Sequence, residues 1–289
     1  PDFEIEGSSQ LINWVAESGI SLIHCVPSFF KLLLTDDLKN VSLSELKYIL
    51  MSGEKLNVSD LRKWYKLVGD PIQLVNLYGA TETTMIKTYY LIHEEDLSKV
   101  SIPIGKPMNG AQVFLLDDSL RPVGKNNIGE IYIRTKYGTH GYYKNEMLTS
   151  ERFIKNPYGT EATDVLFRTG DLGRFNSCGD LEFLGRRDRQ IKIRGVRVEP
   201  EEIEQHLLRH PGVKEAVVKP FQTREKDTFL SAFIVAEKGV EDFSIKKYLT
   251  QFLPKYLIPE NIIFLSAFPL LSNGKIDIES LTNPQKFPK

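Results

Sequence analysis

Between residues 7 and 80 the apolar residues alternate between two periods, and few folds accept that alternation. Leu11, Ile12, Val15 and Ala16 recur on one helical face, with Ser8 or Ser9 as a cap and Gly19 as a stop. Ile20 to Val26 is a short apolar run closed by Pro27, which its length and boundary assign to a strand. Phe29, Phe30, Leu32, Leu33 and Leu34 predict a buried helix, and Tyr48 to Met51 a second strand ending at Ser52-Gly53. Leu61, Trp64, Tyr65, Leu67 and Val68 give another amphipathic helix, and Pro71 to Val75 a third strand that runs into Asn76-Leu77-Tyr78-Gly79. Strands alternating with helices predict a parallel sheet with covered faces. Ligands bind such sheets beyond the carboxyl ends of the strands, here at His24 to Val26, at Ser52-Gly53 and from Asn76 onward.

The pattern changes after about residue 105. Ala111 to Leu116, Gly129 to Arg134, Val165 to Arg168 and Leu181 to Leu184 read as short strands between Gly, Pro and Asn turns, a small β-rich subdomain. It changes again near 188. Pro200 opens a helix through Arg209, with Glu201 and Glu202 favourable to its positive end. Strands at Val213 to Val218 and Phe229 to Val235, a helix at Ile245 to Phe252 and a strand at Ile262 to Leu265 complete a unit able to fold alone. The expected division is therefore α/β core to 106, β-rich subdomain 107–187, small α+β subdomain 188–280 and a polar linker stub 281–289.

With 37 Lys and Arg against 38 Asp and Glu, the chain of 289 residues gives no long-range pull toward nucleic acid or an anionic membrane. No apolar stretch approaches the roughly 20 residues needed to cross a bilayer. Two cysteines, Cys25 and Cys178, cannot staple a chain of this size. They read as reduced thiols of a cytoplasmic protein. Five scattered histidines show no metal-ligand spacing. The opening Pro1-Asp2-Phe3-Glu4 reads as cut from a longer sequence.

Four stretches could carry chemistry. In Tyr78-Gly79-Ala80-Thr81-Glu82-Thr83-Thr84, Gly79 lets the backbone turn tightly and approach a ligand, the hydroxyls can donate to phosphate, Tyr78 can stack on a base and Glu82 can hold a hard cation. The same residues also make an ordinary strand-to-loop turn. Phe167-Arg168-Thr169-Gly170-Asp171 puts a carboxylate behind a Gly turn, suited to a ribose diol, although Thr-Gly-Asp is a common turn. Gly185 to Gly195 is dense in cations. Gln190 to Arg194 alternates as a strand with apolar residues on one face, either a solvated cationic face or the border of a phosphate site. Asn273-Gly274-Lys275 is a turn presenting a lysine, to solvent or to an oxyanion.

In order and spacing these stretches resemble an adenylation domain of a nonribosomal peptide synthetase, in the superfamily of acyl-CoA synthetases and firefly luciferase. The resemblance rests on Asn76 to Thr83, Gly129 to Ile133, Gly141-Tyr142-Tyr143-Lys144 with Leu148-Thr149 and Arg152-Phe153, Phe167 to Leu172, Gly185 to Glu204, Leu253 to Pro259 and Asn273 to Asp277. It implies an adenylate-forming enzyme fold: part of a parallel α/β layer domain, a β-rich subdomain and a hinged α+β C-terminal subdomain. It implies two half-reactions. A carboxylic acid, expected to be an amino acid, attacks the α-phosphate of Mg2+-bound ATP; the thiol of a carrier protein's phosphopantetheine then takes the acyl group.

By resemblance, Tyr78 stacks on adenine with Phe183 on the far side, Asn76 bonds the base edge, and Gly79 belongs to the same nucleotide loop. Thr81 faces the α-phosphate and Glu82 holds Mg2+. Asp171 takes the ribose hydroxyls with Arg186 close by, and Lys275 reaches the substrate carboxylate and the α-phosphate. Asp188 is the hinge, and Lys192, Arg194 and Gly195 form the face used for thiolation. His24, Leu50, Ser52, Leu77, Met85 and Ile86 line the acyl pocket, with plain core packing the alternative for Leu50, Leu77 and Ile86. Ala80 stands where the family usually has Pro. The family's phosphate loop and the aspartate that pairs with an amino substrate are expected before residue 1, so the chain by itself is expected to be inactive. Hydroxy, keto and aryl acids are therefore open alternatives. A stand-alone acyl- or aryl-CoA ligase and a catalytically silent scaffold are the competing functional readings.

Overall fold

The computed structural model describes residues 8–69, 71–161, 164–187, 189–223, 227–237, 239–271 and 276–282. The chain divides into two compact units, Pro1–Asp188 and Arg189–Lys289.

The first unit opens with helix α1 (Ser8–Glu17), strand β1 (Leu22–Cys25) and helix α2 (Pro27–Leu32), whose Pro27 sits in the first turn where no donor is needed. Strand β2 (Tyr48–Met51), helix α3 (Val58–Val68) and strand β3 (Gln73–Ala80) follow. β1, β2 and β3 pair in parallel. Ile49, Met51 and Leu74 on one face of this sheet bury against Leu11, Ile12, Val15, Phe30, Leu61 and Trp64 of the helices.

The sheet is not parallel throughout. Strand β4 (Met85–Ile92) returns antiparallel along β3, and β5 (Lys106–Pro107) pairs antiparallel with β4. Only the single turn Thr81–Thr83 joins β3 to β4, too short for the crossover a parallel strand requires. A second, antiparallel sheet contains β6 (Ala111–Leu116), β7 (Gly129–Thr135), β8 (Phe153–Lys155) after helix α4 (Glu146–Arg152), β9 (Val165–Phe175) and β10 (Leu181–Arg186). Ile104, Leu115, Ile131, Ile133 and Leu181 form its core, and Tyr78 of β3 packs against that cluster beside Phe183. The end of β3 thus meets the second sheet.

The second unit begins with the hairpin β11 (Ile191–Ile193) and β12 (Val196–Val198), in which Ile193 is buried while Lys192 and Arg194 face outward. Helix α5 (Pro200–Leu208) and strands β13 (Val213–Gln222) and β14 (Thr228–Ala236) follow, then helix α6 (Asp242–Leu249) and strand β15 (Asn261–Phe264). Ile203, Leu207, Ile245 and Leu249 bury against Val218, Leu230, Ala232 and Ile234 on one face of the three-stranded sheet. On the other face Val217, Phe233, Phe268 and Leu281 cluster. Lys219 Nζ donates to the carbonyls of Ile278, Glu279 and Leu281 at 2.9–3.3 Å, clamping the segment that follows residue 275. The tail 283–289 lies outside the described residues, and no described helix is long and apolar enough to cross a membrane.

Candidate functional site

Asp171 is central. It lies within β9, directly across from Arg186 of β10. Arg186 Nη1 donates to its Oδ1 at 2.6 Å and the Tyr78 hydroxyl to its Oδ2 at 2.5 Å. Thr169 fixes the main chain there: its hydroxyl donates to the Ile131 carbonyl at 2.7 Å and accepts the Asp171 N–H at 3.0 Å. Gly170 is left-handed (φ +77°), which makes the Thr-Gly-Asp stretch a bend inside a strand. The Phe183 ring lies 6.4 Å from that of Tyr78, and β10 shifts register just after Phe183. Burial, with the Asp171 charge second, pushes the Tyr78 phenol well above its ordinary value, so it stays a donor.

The second feature is Glu82, buried on the turn between β3 and β4. Its Oε1 accepts from the Tyr142 hydroxyl at 2.6 Å, and its main-chain carbonyl accepts the Thr139 N–H at 2.8 Å. The turn is tightened by left-handed Thr84 (φ +61°) and Met85 (φ +63°). Lys87, buried in β4, donates to the carbonyls of Thr84 and Ile86 at 3.3 and 3.1 Å. Desolvation lowers its pKa. Sequence reasoning missed both Tyr142 and Lys87 as residues shaping this site. Tyr142 stood in a matched stretch without a role.

A Cβ on Gly79 would lie 1.6 Å from the Met85 carbonyl oxygen, so the tight turn expected there requires glycine. Asn76 is buried and its Nδ2 donates to the Pro103 carbonyl at 2.9 Å, so part of its amide is spent inside the fold. Thr81 is exposed on the turn.

His24, Leu50 and Leu77 share one face of the first sheet: His24 and Leu50 are register partners, Leu50 pairs with Val75, and Leu77 lies two residues beyond. His24 Nε2 lies 2.9 Å from Ser52 Oγ. Ile86 stands opposite Gly79, while Met85, opposite Ala80, is 58% exposed. The cationic run divides. Arg187 donates to Glu130 and pairs with Asp118 at 2.6 Å, with its N–H on the Gly170 carbonyl at 2.8 Å. Arg189 pairs with Glu204 at 2.7 Å and donates to the Val218 carbonyl at 2.5 Å. Three arginines of the run thus serve carboxylates of the protein itself. Asp188 and Lys275 lie outside the described residues, so neither the hinge nor the lysine is placed.

The first unit thus brings together an aromatic pair, a carboxylate paired with an arginine and a buried glutamate. The AMP-binding enzyme family matches residues 3–143, and the AMP-binding enzyme C-terminal domain matches residues 202–275. The chain belongs to the AMP-binding enzymes. Among curated relatives of this family, surfactin synthase subunit 3 of Bacillus subtilis (strain 168) is 35% identical over 96% of the chain and 22% of its own length. Tyrocidine synthase 3 of Brevibacillus parabrevis is 34% identical over 95% of the chain and 4% of its own length. The chain therefore spans less than a quarter of either relative. Among solved structures, holo-PA1221, an NRPS protein containing adenylation and PCP domains bound to a vinylsulfonamide inhibitor, superposes with a TM-score of 0.82 at 27% identity. That match covers 96% of this chain and 47% of that one. The mixed α/β fold is that of adenylate-forming enzymes.

Proposed function

We propose that this chain is the C-terminal part of an adenylation domain that activates a carboxylic acid, an amino acid first among candidates, as its acyl-adenylate and passes it to the phosphopantetheine thiol of a carrier protein. The observation that carries this reading is the Asp171 carboxylate, held between Arg186 and the Tyr78 hydroxyl beside Phe183. A carboxylate offers about four lone pairs. That is more than Arg186 and Tyr78 require of it, so it can also accept from a ribose diol while Arg186 offsets the charge. Tyr78 and Phe183 would border the base, with Gly79 and what is left of the Asn76 amide at its edge.

Glu82 fits magnesium by its chemistry. It is one buried hard-oxygen donor, and no group of three or more His, Cys, Asp or Glu able to hold a metal occurs among the described residues. A single carboxylate is how Mg2+ is held when a nucleotide's phosphates supply the other ligands. When bound there, the ion would supply positive charge to the phosphates. Thr81, exposed at the head of the turn, would donate to the α-phosphate side.

In the first half-reaction a substrate carboxylate oxygen bonds to the α-phosphorus as the bond to pyrophosphate breaks. No covalent enzyme intermediate is needed, so the protein's part is positioning and charge stabilisation. Lys275 would supply the cation that spans both reactants. In the second, the thiolate sulfur attacks the acyl carbon and AMP leaves. Arg187 is tied to the first unit and Arg189 to the second, two residues apart, which supports Asp188 as the hinge. Lys192, Arg194 and Gly195 would face the carrier arm after rotation. His24, Leu50, Ser52, Leu77, Met85 and Ile86 would line the acyl pocket. The same chemistry with coenzyme A as acceptor is the competing reading, favoured by no feature of the site.

The test is carboxylate-dependent pyrophosphate exchange by the full-length protein, screened across amino, hydroxy, keto and aryl acids. Lys275→Ala is expected to lower exchange by at least a hundredfold while ATP binding stays measurable. Undiminished exchange in that variant would sink the assignment of Lys275, and a wild-type protein that exchanges with none of the acids would sink the reading itself.

A further inference from the structure

The stretch Gly141-Tyr142-Tyr143-Lys144, with Leu148-Thr149 and Phe153, takes no part in the chemistry above, yet its geometry converges on one atom. Asn145 caps α4, its side chain accepting the Leu148 N–H at 3.0 Å. Thr149 Oγ1 donates to the Asn145 carbonyl at 2.8 Å and accepts the Tyr142 N–H at 2.9 Å. Gly141 has φ +138°, and a Cβ there would lie 2.4 Å from Thr149 Cγ2 and 2.7 Å from its Oγ1. Glycine is what lets the chain close on Thr149. Phe153 supports the Tyr142 ring edge-on, centroids 6.0 Å apart. At the far end of that ring the hydroxyl donates to Glu82 Oε1 at 2.6 Å. The main chain reinforces the grip. Thr139 N–H donates to the Glu82 carbonyl, and the Thr84 hydroxyl donates to the Tyr137 carbonyl. Residues 137–142 thus hold the turn 82–84 at three points.

We propose that Tyr142 is a positioning residue that sets the direction of the Glu82 carboxylate for a metal–nucleotide complex. The proposal rests on the reading of Glu82 as the metal-binding carboxylate. A glutamate on a three-residue turn has three rotatable side-chain bonds, and a hydrogen bond to one oxygen fixes the plane in which the carboxylate presents its remaining lone pairs. The phenol does this without adding positive charge, so it does not compete with a cation. Partners of this kind, which touch the ligating group and not the metal, commonly change metal affinity 10–100-fold when removed.

The test uses the full-length protein, Mn2+ as probe and a non-hydrolysable ATP analogue, with bound metal read by electron paramagnetic resonance. Tyr142→Phe removes the hydroxyl and keeps the ring on Phe153. It is expected to weaken Mn2+ binding about tenfold in the presence of the analogue, with the affinity for metal-free analogue unchanged. Mn2+ affinity within about twofold of wild type overturns the proposal, as does an equal loss for metal-free analogue, which a merely structural role would give. Should Tyr142→Phe fail to fold by circular dichroism, Thr149→Val takes its place; a smaller loss in the same direction supports the proposal and no loss overturns it. Glu82→Gln separates the two levels. Unchanged Mn2+ affinity in that variant removes the metal reading and the proposal with it, whereas a loss in Glu82→Gln without one in Tyr142→Phe removes the proposal alone.

Discussion

Asp171 and Glu82 are both buried carboxylates of the first unit, but they are held by different kinds of structure. Asp171 sits within an 11-residue strand, with strands hydrogen-bonded on both sides. A cation meets one of its oxygens and a phenol the other. Glu82 sits on a three-residue turn followed by two left-handed residues, and the group 60 positions along that reaches it is a neutral phenol. A carboxylate already paired with an arginine is suited to accept hydrogen bonds from neutral hydroxyls. On the proposed reading the arginine-paired acid would serve the sugar and the phenol-oriented acid the metal.

Asp171→Asn is the harshest test of that contrast. It removes the Asp171 charge from beside Arg186, only 16% exposed at its side chain, and a lost hydrogen bond to a charged group costs about 1.5–3 kcal/mol. Both stability and nucleotide binding should suffer. The expected result is a loss of roughly 2–3 kcal/mol in denaturant unfolding, with kcat/KM for exchange lowered on the order of a hundredfold. A variant that lost activity at full stability would show that Arg186 does not depend on Asp171.

Glu82→Gln is expected to do the reverse. Glutamine keeps an oxygen for the Tyr142 hydroxyl, so unfolding free energy should fall by less than about 1 kcal/mol, while exchange and metal affinity fall steeply. Equal stability losses in the two variants would erase the distinction between the acids.

What sequence could and could not show follows from the range of the interactions. β2 was readable to the residue because Tyr48 to Met51 is a short apolar run with a turn at its end. β4 was not, because its buried members include Lys87 and Thr88 while Tyr89 and Leu91 are exposed, which inverts the usual pattern. The candidate site residues were nominated by the order of the motifs. Their contacts were not legible: Tyr78 meets Asp171 across 93 positions, and Tyr142 meets Glu82 across 60. That Gly79 serves a tight turn was legible; that Met85 is what folds back onto it was not.

The smallest expected effect reads the Asp171 side of the contrast through Tyr78. Burial and the neighbouring carboxylate hold the proton on this phenol, so its pKa in the folded chain lies above the ordinary value of 10.0. The folded state then binds that proton more tightly than the unfolded chain does. The stability it contributes is fully present below pH 10 and is lost as pH rises beyond, by at most about 1.4 kcal/mol per pH unit for one group. Thermal unfolding of wild type and Tyr78→Phe, followed from pH 8 to 11, isolates this contribution, because Tyr90 and Tyr132, also raised by burial, are common to both proteins. The wild-type midpoint should fall more steeply above pH 10 than that of the variant. Parallel profiles would mean that the Tyr78 proton is no better held in the fold than out of it.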